Sequence, residues 1–182
     1  MDAKQTLRTE LKRQAKLHSF TDFTHEDSLS CEALLQSHVY KVADWIFAFM
    51  PLASEVNIKA VLNRTIADKH LALPVCNEDG SLTFYEVENL AALTEGRHGI
   101  LEPKKKQVAV PSEKDIILVP ALAYSRTGDR LGRGKGYYDR YLSTYPNVLS
   151  IGLCRSYQLL ESIPTETWDY RVSKVLCAGV FY

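Results

Sequence analysis

Apolar residues recur along the chain at two spacings, and the changes between them divide it into elements. Residues 2–18 carry Ala3, Leu7, Leu11 and Ala15 at intervals of four, with Leu17 one position short of the next turn. That is the stripe of an amphipathic helix, and it leaves Lys and Arg on the opposite face. Thr24-x-x-Asp27 is placed to cap a second helix holding Leu29, Ala33, Leu34 and Leu35. Asp44–Met50 reads as a buried strand ended by Pro51, and Val56–Asp68, with Ile58, Val61, Leu62 and Ile66, as a further helix. His70–Val75 is a short apolar strand closed by Pro74; Asn77-Glu78-Asp79-Gly80 turns into an alternating hairpin partner, Ser81–Val87. Arg97–Pro111, with Gly99, Pro103 and Lys104-Lys105-Lys106, reads as a loop whose lysines are solvated. Asp115–Pro120 is apolar throughout, as a strand buried on both faces would be, and Asn147–Leu153 and Lys174–Phe181 look like strands of the same sheet. Strands separated by helical segments predict an α/β fold of three layers with a largely parallel sheet, in one domain over residues 1–182.

Composition narrows the partners. The 182 residues include 22 Lys+Arg and 22 Asp+Glu, a formal net charge of zero. Bulk binding to nucleic acid or an anionic membrane requires a basic surplus, so neither partner is expected. The longest apolar runs, Trp45–Leu52 and Ile116–Ala123, are strand-sized, and Met1–Arg8 has no signal-peptide core. Cys31, Cys76, Cys154 and Cys177 form no C-x-x-C and have no neighbouring histidine, so they read as reduced, buried thiols rather than zinc ligands. A cytoplasmic protein, monomeric or weakly dimeric, is the expectation.

One segment breaks the neutral average. From Arg126 to Arg140 there are five basic and two acidic residues, a local +3. Gly132, Gly134 and Gly136 alternate there with Arg133 and Lys135, after a buried strand and before a helical pattern. Glycines without Cβ let backbone N–H groups approach an anion, and the carboxyl ends of parallel strands are where open α/β sheets bind ligands. The P-loop pattern fails at Asp129 and Gly136, and the dinucleotide pattern G-x-G-x-x-G fails at Tyr137. A flexible glycine-rich surface loop would explain the glycines but not the spacing of the basic residues. Asp139 suits a helix N-terminus in any case; beside a phosphate it could also hold Mg²⁺.

Leu118-Val119-Pro120-Ala121-Leu122-Ala123-Tyr124, followed by Gly128-x-Arg130-Leu131-Gly132-x-Gly134-x-Gly136-Tyr137-Tyr138-Asp139-Arg140, closely resembles the signature of the 5-formyltetrahydrofolate cyclo-ligase (methenyltetrahydrofolate synthetase) family. Weaker similarities keep the family's order around it: Lys4-x-x-Leu7-Arg8, Pro51-x-x-x-Glu55-Val56, Leu73-Pro74-Val75, Gly99-Ile100-x-Glu102-Pro103, Ile151-Gly152-Leu153, Gln158, Ile163-Pro164 and Asp169. The resemblance implies a Rossmann-like, mostly parallel sheet with helices on both faces. It also implies conversion of 5-formyltetrahydrofolate, with or without a polyglutamate tail, to 5,10-methenyltetrahydrofolate, with ATP consumed and Mg²⁺ required. By that resemblance Lys4, Arg8, Arg130, Gly132, Arg133, Gly134, Lys135, Gly136, Tyr137 and Tyr138 bind ATP, and Arg133 and Lys135 are catalytic. Met50, Glu55, Arg133 and Tyr137 hold the folate, and Asp139 and Asp169 ligate Mg²⁺.

Periodicity alone would turn Lys4 and Arg8 to solvent and expose Glu55 near a helix start, and core packing serves Met50 equally well. The sequence departs from the usual family pattern at Asn57, Ile58, Trp168 and Cys177. Two other readings stay open: a relative acting on another formamide or pterin, and a non-catalytic nucleotide- or RNA-binding module.

Overall fold

A strand that is apolar at every position needs cover on both faces, and Ile116–Val119 has it, with all four residues buried. The structure, a computed structural model, describes residues 2–18, 23–96 and 99–182. Its first half runs α1 (Ala3–Leu17), α2 (Thr24–Gln36), α3 (His38–Val42), β1 (Trp45–Phe47), α4 (Lys59–Asp68), β2 (His70–Cys76) and β3 (Leu82–Glu86). Three two-residue strands follow, β4 (Thr94–Glu95), β5 (Leu101–Glu102) and β6 (Val108–Ala109), and then β7 (Ile116–Val119), β8 (Ala123–Ser125) and β9 (Arg130–Leu131). The chain ends with α5 (Tyr137–Thr144), β10 (Leu149–Cys154), β11 (Leu159–Leu160), β12 (Lys174–Cys177) and β13 (Val180–Phe181).

Eight strands form the main sheet in the order β13-β12-β10-β7-β1-β2-β3-β6. Strands β12, β10, β7, β1 and β2 run parallel, while β13 and the β3–β6 pair join antiparallel at the two edges. Alternate residues of each central strand face opposite layers. Ile46, Leu71, Leu73, Ile116, Leu118, Ile151 and Leu153 pack against Cys31 and Leu34 of α2, Tyr40 of α3 and Val61 and Leu62 of α4. Phe47, Ala72, Phe84, Ile117, Val119 and Val175 pack against Tyr141 and Leu142 of α5. The expected three layers, with helices on both faces, are present.

A second, three-stranded sheet, β11-β8-β9, carries α1 through a separate cluster in which Leu7 and Leu11 meet Leu122, Ala123, Leu131 and Ile163. This small sheet is seated on the large one at Gly152, where an added Cβ would collide with the buried ring of Tyr124. Arg155, just past β10, closes the structure on the opposite side. It donates twice to Asp27 of α2, at 3.0 and 2.9 Å, and once to the carbonyl of Ala53 at 3.1 Å. Removing one member of so buried a pair costs about 3–5 kcal/mol.

Several boundaries differ from the sequence reading. Asp27 does not take part in a cap box with Thr24; its carboxylate binds Arg155 and the N–H of Asn57. The helix expected from Val56 starts at Lys59. Pro74 lies inside β2 instead of closing it. Its missing N–H faces the β1 side, where the last bond runs from the Ala48 N–H to the Ala72 carbonyl; Pro74 ends that ladder while β2 stays paired with β3. The loop expected over Arg97–Pro111 contains β5 and β6; its residues 97 and 98 lie outside the described residues. Lys174–Phe181 is a hairpin and not one strand, because Ala178 and Gly179 both adopt positive φ (47° and 86°) and reverse the chain. The cysteines are free thiols; Cys31, Cys154 and Cys177 are buried, and Cys76 is half-buried. Among the described residues no helix is long and apolar enough to cross a membrane.

Candidate active site

The parallel strands present their carboxyl ends to one cleft of about 1120 Å³. Phe49 and Met50 after β1, Pro74 and Cys76 of β2, and Pro120 and Ala121 after β7 form part of its wall. Every residue expected from the sequence to bind nucleotide, folate or metal lines this cleft, from Lys4 and Arg8 to Asp139 and Asp169.

The glycine-rich segment is not a plain strand-to-helix connection. Arg130 and Leu131 pair with Tyr124 and Ala123 as the second arm of a hairpin, and only Gly132–Gly136 is loop. Gly134 (φ 98°) and Gly136 (φ 67°) take the left-handed region, which a β-carbon disfavours, and Gly136 is the residue before α5. As a result the backbone N–H groups from Arg133 to Asp139 donate to no described residue. Seven consecutive unpaired donors at the start of a helix form a nest for an anion.

Around the nest, most cations are already held. Arg130 is buried and donates to Asp139 Oδ1 at 2.7 Å, over the ring of Tyr138. Its Nε is buried without any partner, a donor directed at nothing the protein supplies. Arg133 donates to Glu55 Oε1 at 3.0 Å and to Ser54 Oγ at 3.1 Å. Arg8 donates to the carbonyl of Gly132 at 3.0 Å. Arg140 binds the carbonyls of Gly80 and Lys135, so the β2–β3 turn is tied to the loop. Lys135 is exposed, and its ammonium has no partner among the described residues.

Lys4 is buried, contrary to what the helical period alone predicts. Its Nζ lies 2.5 Å from Asp169 Oδ2 and 2.7 Å from Glu166 Oε2. Burial disfavours its charge, but the hydrogen bonds and charges of Asp169 and Glu166 outweigh this and raise its pKa. Glu55 is buried too, its Oε2 accepting from the N–H of Leu52 at 3.0 Å while Oε1 faces Arg133. Met50 is half-buried; it lines the cleft and also packs on the core. Tyr137 lies under Arg140, and burial pushes the Tyr138 hydroxyl well above its ordinary pKa.

Asp139 and Asp169 share the cleft, and each keeps one carboxylate oxygen without a partner among the described residues: Asp139 Oδ2 and Asp169 Oδ1. Among the described residues no three His, Cys, Asp or Glu side chains form a complete metal cage. A pair of hard carboxylates is nevertheless the donor set Mg²⁺ uses when phosphate and water complete its shell. Glu166, Cys76 and Leu101 also line the cleft, and no spacing in the sequence marks them, because they arrive from separate elements. Arg140 and Glu102 line it as well and stand within the resembling motifs, though the sequence reading gives them no site role. Of the four departures from the family pattern, only Trp168 reaches the cleft. Asn57 and Ile58 lead into α4, and Cys177 is buried beside Cys154.

The comparisons agree on one family. The model of the 5-formyltetrahydrofolate cyclo-ligase family matches residues 1–178. The 5-formyltetrahydrofolate cyclo-ligase of Haemophilus influenzae is 30% identical, with 95% of this chain and 96% of that protein covered. The one from Mycolicibacterium smegmatis is 32% identical over 72% of each chain. The NMR structure of Aquifex aeolicus 5,10-methenyltetrahydrofolate synthetase superposes with a TM-score of 0.86, at 28% identity, covering 99% of this chain and 92% of that one. With a family match over residues 1–178, as far as the turn before β13, the chain belongs to the 5-formyltetrahydrofolate cyclo-ligase family.

Proposed function

We propose that the protein converts 5-formyltetrahydrofolate to 5,10-methenyltetrahydrofolate using ATP and Mg²⁺, releasing ADP and phosphate. Family membership and the names of the relatives support the folate conversion. One observation carries the nucleotide: unpaired N–H donors of Arg133–Asp139, the orphaned Nε of Arg130 and the unpaired Lys135 all line one cleft. Phosphate is the anion that fits so many converging donors.

The chemistry follows from a poor leaving group. A formamide oxygen is not expelled unaided, so it attacks the γ-phosphorus and ADP departs. N10 of the folate then attacks the activated carbon, phosphate leaves with the former formyl oxygen, and the N10 proton is lost as the ring closes. Such a reaction needs alignment and charge neutralisation more than a side-chain nucleophile. Lys135 and Arg130 neutralise phosphoryl oxygens in this reading, with Lys4 and Arg8 reaching the phosphates from α1. Arg133 spans the nucleotide and the formyl group, because it already joins the loop to Glu55. Glu55 accepts hydrogen bonds from the aminopyrimidine edge of the pterin, with Met50 as an apolar wall and Tyr137 against the folate. Asp139 and Asp169 would hold Mg²⁺, which when bound supplies positive charge against the phosphate oxygens.

The test is incubation of the purified protein with 5-formyltetrahydrofolate, ATP and Mg²⁺, followed by near-UV absorbance of the methenyl product. Product that accumulates only with all three present is the expected result. A folded protein that gives no ATP-dependent signal overturns the proposal.

A further inference from the structure

Among the described residues Trp168 is the most exposed large aromatic side chain, at 69%, and it has no ring or cation partner there. Its exposure does not come from a loose chain. The N–H of Glu166 donates to Asp169 Oδ2 at 2.7 Å, and the N–H of Asp169 donates back to the carbonyl of Glu166 at 3.0 Å. Lys4 clamps both of these carboxylates, and the N–H of Tyr170 donates to Asp139 Oδ1 at 3.1 Å. The backbone is thus fixed on both sides of Trp168, while the indole is left uncovered on the wall of the cleft. An indole held this way is a preorganised apolar surface whose cover is missing from the protein itself.

We propose that Trp168 is the stacking platform for the nucleobase and determines the preference of the site for a purine nucleotide. The inference rests on reading the cleft as a nucleotide site. Two flat ring systems enter that cleft, the nucleobase and the pterin, and the tethers decide between them. Trp168 is bracketed by Lys4, Asp169 and Asp139, the groups assigned to phosphate and metal, whereas Glu55, assigned to the pterin, is joined to the loop through Arg133. A stacking platform senses the area of a ring more than its edges. It therefore favours the two fused rings of a purine over the single ring of a pyrimidine.

Binding of ADP, CDP and inorganic tripolyphosphate to the full chain, each with Mg²⁺, tests this by calorimetry and intrinsic fluorescence. The other tryptophan, Trp45, begins β1 at the far end of the strands, where its ring stacks on His70 at 4.6 Å. A fluorescence change on binding thus reports Trp168. ADP is expected to quench it and tripolyphosphate is not. Trp168→Ala is expected to weaken ADP by about 5- to 150-fold, the range for loss of one base–aromatic stack. The same variant should bind tripolyphosphate as before and lose the preference for ADP over CDP, and Trp168→Phe should recover most of the ADP affinity. If the wild type binds ADP and Trp168→Ala binds it equally well, the platform is overturned and the nucleotide site stands. Weaker binding of 5-formyltetrahydrofolate instead of ADP by Trp168→Ala overturns it in favour of the pterin. Failure of the wild type to bind either ADP or tripolyphosphate overturns the nucleotide reading, and this inference with it.

Discussion

Lys135 differs from the other cations of the cleft because no described residue engages its ammonium. Lys4, Arg130 and Arg133 each face a carboxylate and Arg8 and Arg140 face carbonyls, whereas the Lys135 ammonium stands free among the described residues. Lys135→Ala therefore removes charge from the phosphate site without breaking a contact of the fold. Turnover should fall by roughly 10²- to 10³-fold, the usual loss for one preorganised charge donor, while the melting temperature stays where it was. Activity near wild type would remove Lys135 from the phosphate site. Asp139→Asn keeps the shape of the side chain but discards its charge. The Mg²⁺ concentration giving half-maximal rate should then rise at least about tenfold, and an unchanged Mg²⁺ titration contradicts its role as a ligand. The loop residues were legible because their types are crowded into one stretch of sequence. Lys4 and Glu55 were not legible from periodicity, since each is buried by a partner far along the chain: Glu166 and Asp169 for one, Arg133 for the other. A period of 3.6 reports which face is apolar, and it is blind to an ammonium that two distant carboxylates draw inward.

At the scale of elements, α1 acts as a removable wall of the site. Its apolar residues Leu7 and Leu11 belong to the cluster on the β8–β9 hairpin and not to either core layer of the large sheet, yet it delivers Lys4 and Arg8 to the cleft. Leu11 is buried at 3% exposure. Leu11→Ala should cost about 2–5 kcal/mol, the range for a leucine truncated in a packed cluster. Because the two cations ride on the same helix, the KM for ATP should rise more than the KM for folate, which separate saturation curves would show. A stability loss with both KM values unchanged would mean that α1 only supports the fold. The amphipathic stripe of α1 and the continuous apolar run of β7 were plain in the sequence, because burial on one face or on both leaves a simple pattern. The small sheet was not, since β9 and β11 are two residues each and no period can be read from two residues. Pro74 misled for a different reason. A proline is excluded only where its missing N–H faces a partner strand, and pairing with β1 stops just before that point.

For the whole molecule, the balance of 22 basic against 22 acidic residues is made partly inside the site. Asp139, Glu55, Glu166 and Asp169 compensate Arg130, Arg133 and Lys4 within one cleft. A neutral total thus conceals a site whose charges are paired until a more strongly charged guest competes for them. Burial elsewhere sets how the protein responds to alkali. Burial, and secondarily the charge of Asp27, push the Cys31 thiol up to about 11 from an ordinary 9.0. Tyr40, Tyr124 and Tyr141 are buried, and desolvation raises each above the ordinary 10.0. All four keep their protons in the folded state at a pH where the unfolded chain has lost them. The folded form then binds more protons than the unfolded one, and stability must fall as pH rises. The loss should be absent at pH 8, begin near pH 9 with Cys31 and steepen above pH 10, where Tyr124 and Tyr141 each add up to about 1.4 kcal/mol per pH unit. The Cys31 contribution is expected to level off near pH 11, while those of Tyr124 and Tyr141 continue. Denaturant unfolding at pH 8, 9, 10 and 11, with tyrosinate absorbance followed in the same samples, measures both sides of the linkage. A free energy of unfolding that stays constant across that range would mean that these hydroxyls and this thiol ionise as freely in the folded protein as in the unfolded chain.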